Sequence, residues 1–185
     1  MPEEIISADE PDWTREAPQK IWDPGRKLLQ SIRRHEYWSK RKAPYSRAMK
    51  AICFIKHRFW STVTGAEIQL GTSIGGGLLI PHPNGIVIHP NVKIGPNCLI
   101  FQQVTIGTSK NQNGVPIVGG QVDIGAGAKI LGPLSIGDHA IIGANAVVIS
   151  NVPQSATAIG IPAKVREKPV QVTGVSPPPS YTGSD

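Results

Sequence analysis

The sequence predicts a parallel β-helix preceded by a helical cap, and three observations predict it. Aliphatic residues return every six positions: Ile68, Ile74 and Ile80, then after a two-residue slip Ile88, Ile94, Ile100 and Ile106, and later Ile124, Ile130, Ile136, Ile142 and Val148. The residue two before each of these is small or apolar in most hexads, and Gly often follows, as at Gly95, Gly107, Gly125, Gly137 and Gly143. Glycine and aromatic residues also segregate, with 17 of 20 glycines in residues 61–163 and eight of ten aromatics in the first 60. A helix of 3.6 residues per turn cannot hold a period of six on one face. Short strands with alternating inward residues, separated by tight turns, can. Such a strand buries its inner face only by stacking on its neighbours, which also pairs the backbone between coils. A β-sandwich would keep no fixed six-residue phase from Ile124 to Val148.

Charge divides the chain into the same regions. Residues 1–25 carry −5, residues 26–60 carry +10, residues 61–163 are neutral and residues 164–185 carry +1, for a net charge of +6. Residues 1–25 read as an acidic, flexible segment. Residues 26–62 read as a basic helical cap: Leu28, Leu29 and Ile32 mark a first helix, Pro44 separates it from a second, and Tyr45, Ala48, Met49, Ile52, Ile55 and Phe59 fall on one face of that second helix. A solenoid needs its open first coil covered, so this apolar face is expected to pack inward. A basic amphipathic surface touching an anionic membrane is the second reading, and the two are compatible. Residues 63–166 form the solenoid, with loops at 81–87 and 108–121, where Pro, Asn and Gly interrupt the period. Residues 167–185 have the composition of a disordered tail.

Composition excludes several classes. There is no apolar run long enough to span a membrane and no signal-peptide pattern. Cys53 and Cys98 form no C-x-x-C pair, which argues against a disulfide framework or a structural zinc site and fits a reducing cytoplasm. The neutral solenoid carries no nucleic-acid motif.

The hexads, the segments IPHPNGIVI, IFQQVTIGT and DIGAGAKILG, and the closing AIGIPAKV occur in the order found in the hexapeptide-repeat acyltransferases. Over roughly Thr64 to Val165 the chain resembles the serine acetyltransferase-like branch of that family. The resemblance implies a left-handed β-helix, a homotrimer, and acetyl-CoA as co-substrate in the groove between subunits, with no metal. It places the catalytic base on His82, in the first loop. A neutral imidazole can take the proton that an acceptor hydroxyl loses on attacking the thioester. Glu67, fifteen positions earlier, is the carboxylate placed to orient that ring, where the family has Asp. Gly107, at the edge of the second loop, is the candidate main-chain donor near the thioester. Ala126 and Ala144 fall on the pantetheine track, although a tight turn would also explain them. Lys164 and Arg166 are placed to meet the CoA phosphates, although both would equally be plain solvated cations.

Two departures bear on the acceptor. The serine-specific enzymes carry an Asp where this chain has Pro81, and an Arg-His pair where it has Gly114 and Val115. Without those charged partners a small zwitterion is poorly held once taken from water. The expectation is therefore an acetyl-CoA-dependent O-acetyltransferase acting on a hydroxyl of a sugar or polysaccharide precursor. Its alternatives are a serine O-acetyltransferase and a non-catalytic solenoid scaffold.

Overall fold

The computed structural model describes residues 7–110 and 112–167; the expected tail, apart from Glu167, and the first six residues lie outside them. A short 3-10 helix, Trp13–Glu16, precedes two α-helices, α1 (Pro24–Ser39) and α2 (Ser46–Thr64). Proline in the first turn starts α1, where its missing N–H costs no hydrogen bond. Gly65 ends α2 with φ of 65°, and its N–H bonds to the Ser61 carbonyl at 2.9 Å, a left-handed cap that glycine adopts without strain.

Five coils follow. The first holds β1 (Glu67–Ile68) and β2 (Ser73–Ile74), the second β3 (Val87–Ile88), β4 (Lys93–Ile94) and β5 (Leu99–Ile100). The third holds β6 (Thr105–Gly107), β7 (Ile117–Val118) and β8 (Asp123–Ile124), and the fourth β9 (Lys129–Leu131), β10 (Ser135–Ile136) and β11 (Ile141–Ile142). The fifth holds β12 (Val147–Val148) and β13 (Thr157–Ile159), on which β14 (Lys164–Arg166) folds back antiparallel. Three parallel sheets result: β1-β3-β6-β9-β12, β2-β4-β7-β10, and β5-β8-β11-β13 closed by β14. Each two-residue strand turns one side chain out and one in, so the first sheet stacks Ile68, Ile88, Ile106, Ile130 and Val148 into a buried column. Each such aliphatic side chain contributes about 1.5–3 kcal/mol by leaving water.

Register locates the two loops. Partners Val87 and Thr105, and Lys129 and Val147, are eighteen positions apart, which is one coil of three hexads. Glu67 and Val87 are twenty apart, and Thr105 and Lys129 twenty-four. The first coil therefore extrudes two extra residues before β3, and the third extrudes six before β7. The second loop ends earlier than the expected residue 121, because Ile117 and Val118 already pair with Lys93 and Ile94 below and with Ser135 and Ile136 above. Once the excess has left the prism, Val118 resumes the inward phase.

Two further expectations are corrected. The apolar face of α2 does not point inward: Ile52, Ile55 and Phe59 are exposed, while Ser46, Cys53, His57 and Thr64 are buried. The solenoid end is already covered by Leu28, Leu29 and Ile32 of α1, so α2 meets it with a narrow face of smaller and polar side chains. The acidic segment is also seated from residue 7 onward. Asn97 donates its amide to the carbonyls of Ser7 and Glu10 at 2.7 Å and accepts the Asp12 N–H at 2.8 Å. Glu16, buried, pairs with Arg33 at 2.8 Å and accepts the Leu78 N–H at 3.1 Å, while Arg33 donates to the Ile74 and Gly75 carbonyls. One carboxylate and one guanidinium thus lock the N-terminal segment, α1 and the first coil together.

Candidate active site

The first loop leaves the solenoid at the corner between the third sheet and the first, and its foot is tied on both sides. The Gly85 N–H bonds to the Gly65 carbonyl below, and the Gln103 N–H to the Asn84 carbonyl above, each at 2.9 Å. The Gln103 side-chain amide also donates to the Asn84 carboxamide oxygen at 3.0 Å. His82, between Pro81 and Pro83, is exposed on the outer part of this anchored loop.

The same corner continues upward through the residues that the resemblance marks for the pantetheine arm. The Gly127 N–H bonds to the Gln102 carbonyl at 2.9 Å and the Asn145 N–H to the Ala126 carbonyl at 2.8 Å, so Ala126 and Ala144 lie one coil apart on one edge. The turn at this edge needs a left-handed residue in each coil, met by Gln103, Gly127 and Asn145 at φ of 61°, 76° and 56°. Small side chains at Ala126 and Ala144 keep the main chain of that edge accessible. Beside them, the carboxamide oxygen of Gln102 is buried with no hydrogen-bond partner within the protomer. Lys164 and Arg166 project from β14 beyond the last coil, both exposed. They stand at the upper end of the structure, where phosphates could meet them.

Glu67 and Gly107 lie elsewhere, on the first sheet. The Glu67 N–H bonds to the Ile86 carbonyl at 2.7 Å, which holds it directly below Val87. No hydrogen bond or ion pair joins Glu67 to His82 within the protomer. Glu67 instead lines an open recess of about 290 Å³ with Gln69, His89, Thr105, Gly107 and Thr108. Register stacks His89 directly under Gly107, where an added Cβ would lie 3.7 Å from the Cβ of His89. The Nδ1 of His89 accepts the Asn91 N–H at 3.2 Å, so a neutral ring carries its proton on Nε2 as a donor. The eighteen-residue coil that pairs residue 89 with 107 is the sequence signal that places His89 in this recess.

Two buried groups complete the electrostatics. His57 bonds through Nε2 to the Ile68 carbonyl at 2.8 Å, and burial lowers its pKa from the ordinary value, with Arg58 and His35 adding to the effect against the raising influence of that bond. Burial pushes the Cys98 thiol up to about 11, which removes it from nucleophilic chemistry near neutral pH. Among the described residues no group of three or more His, Cys, Asp or Glu is placed to hold a metal ion.

Comparison with known proteins returns a consistent set. The chain is 39% identical over 135 residues to a serine acetyltransferase of Mycobacterium tuberculosis, covering 71% of this chain and 59% of that protein. It is 44% identical over 108 residues to that of Helicobacter pylori J99, covering 57% and 63%. Among solved structures, a serine acetyltransferase in complex with CoA matches at a TM-score of 0.65 and 34% identity, over 79% of this chain and 58% of that one. The Neisseria gonorrhoeae serine acetyltransferase in complex with serine matches at 0.64 and 34%, over 78% and 57%. No protein-family model matches. The chain spans about three fifths of the length of most of these proteins. The left-handed β-helix implied by the resemblance is the fold of this chain.

Proposed function

We propose, for a chain whose solenoid belongs to the serine acetyltransferase-like branch of the hexapeptide-repeat acyltransferases, an acetyl-CoA-dependent O-acetyltransferase. The observation that carries this reading is the single edge that presents His82 in the first coil and Ala126 and Ala144 in the third and fourth, with Gln102 of the second coil between them. His82 takes the proton of the acceptor hydroxyl as its oxygen bonds to the acetyl carbonyl carbon. The carbon–sulfur bond then breaks, and the proton passes from the imidazolium to the departing thiolate. Backbone N–H groups near Gly107 are the candidate donors to the carbonyl oxygen. Glu67 makes no hydrogen bond or ion pair with His82 inside one protomer, so its orienting role depends on the arrangement of the assembled enzyme.

For the acceptor, the relatives turn the reading from a sugar to L-serine: those compared above are named serine acetyltransferases, and one solved neighbour is a complex with serine. The sugar reading keeps one observation, the absence of charged side chains at Pro81, Gly114 and Val115. Thiol release from acetyl-CoA, measured with L-serine and with a panel of sugars beside His82→Ala, tests both. Release with L-serine that falls by about 10²–10⁴ in the mutant supports the first reading. Release with sugars alone replaces it by the second. Equal release by wild type and mutant with every acceptor removes His82 as the base.

A further inference from the structure

Helix α2 turns its most apolar stripe to solvent. Ala48, Ile52, Ile55, Phe59 and Val63 recur at spacings of three and four, so they share one side of the helix, and all are exposed, Ile55 by 66% and Phe59 by 54%. A contiguous apolar patch on a folded domain marks a surface that something covers. The charge around it is of one sign. Lys40, Arg41, Lys42, Arg47, Lys56 and Arg58 are exposed, and no Asp or Glu occurs between Glu36 and Glu67. Neither α2 nor the turn before it contributes a cation to any ion pair among the described residues. Next to Ile52, a cleft of about 300 Å³ between α1 and α2 is walled by Tyr37, Trp38 and Met49 and rimmed by Arg34 and Lys56.

We propose that this face of α2 docks on an anionic lipid surface, with the helix lying in the plane of the headgroups. Charge complementarity decides the occupant. A two-fold contact of the face with a second copy of itself would bring cations against cations with no carboxylate between them, whereas anionic headgroups neutralise them. Phenylalanine and isoleucine between flanking lysines and arginines are the side chains that seat a helix at the boundary of headgroup and acyl chain. No helix of the described residues is long and apolar enough to cross a membrane. The proposal stands apart from the acetyltransferase reading, because none of these residues belongs to the candidate site.

Co-sedimentation of the full chain with vesicles tests it. Vesicles of phosphatidylcholine with phosphatidylglycerol are expected to carry the protein down, vesicles of phosphatidylcholine alone are not, and added salt is expected to release it. Ile55→Glu and Phe59→Glu, on an exposed face, should leave the melting temperature unchanged and abolish sedimentation. Lys56→Gln and Arg58→Gln should each weaken binding roughly five-fold, the factor per cation at an anionic surface. Failure to sediment with either vesicle, or equal sedimentation with both, overturns the proposal. A lower particle mass in solution for Ile55→Glu than for wild type also overturns it, by showing that a second copy covers the face.

Discussion

In the solenoid the inward set is almost wholly aliphatic, with Thr72 and Cys98 as exceptions, whereas in the helical cap the large apolar side chains of α2 face outward and a histidine, a cysteine and two hydroxyls face in. The difference lies in what each region must cover. A β-helix coil has identical neighbours above and below, so one pattern repeated at every level satisfies them all. The cap meets the solenoid at one end, through α1, the Glu16–Arg33 pair and the narrow face of α2 that carries His57, and its remaining face answers to whatever lies outside the protomer. Apolar periodicity therefore means core in one half of this molecule and external surface in the other.

Substitutions can sharpen that contrast. The largest effect is expected from Ile130→Ala, which empties one level of the buried column between Ile106 and Val148 and should cost about 2–5 kcal/mol in denaturant unfolding. A cost below 1 kcal/mol would mean that the coils relax around the cavity and the column is not a close-packed core. Glu16→Ala should cost about 3 kcal/mol, because it leaves the Arg33 guanidinium largely buried without its main partner and the Leu78 N–H unpaired. Its signature would be early proteolysis within residues 7–23, released from the solenoid while the coils stay folded. Acid should act through the cap as well. The folded-state pKa of His57 is depressed by burial, so its neutral form contributes stability above the ordinary imidazole value that is lost as pH falls. Thermal unfolding from about pH 7.5 to about pH 5 should show a decline that His57→Gln flattens. The smallest effect is expected from Ile55→Ala, within about 0.5 kcal/mol, since that side chain leaves little packing behind. A loss comparable with that of Ile130→Ala would place α2 in a permanent interface and erase the contrast.

The strands, the coil length and both excursions were legible, because a period of six admits no helix and every slip in phase must leave the prism. Val118 was missed for a related reason: the six extra residues after Thr108 hid where the phase resumed, and only pairing with Ile94 and Ile136 marks it. At the site, the loop bearing His82 and the edge bearing Ala126 and Ala144 were legible from motif order. His89 and the Gln102 oxygen were not. A histidine directly after a strand end reads as solvent until its neighbour one coil away is known to be a glycine, and an amide looks satisfied until its partners are counted.

The sequence by itself determined the solenoid, its neutral charge, the acidic and basic division of the first 60 residues and the places where loops leave the coils, since each of these depends on spacing or composition along one strand of chain. Tertiary structure decided which way α2 faces, whether the acidic segment is seated, and which residues of different coils share a recess. Those depend on contacts such as Glu16 with Arg33 and His89 below Gly107, between groups 17 and 18 positions apart, and stacking geometry sets them rather than local preference.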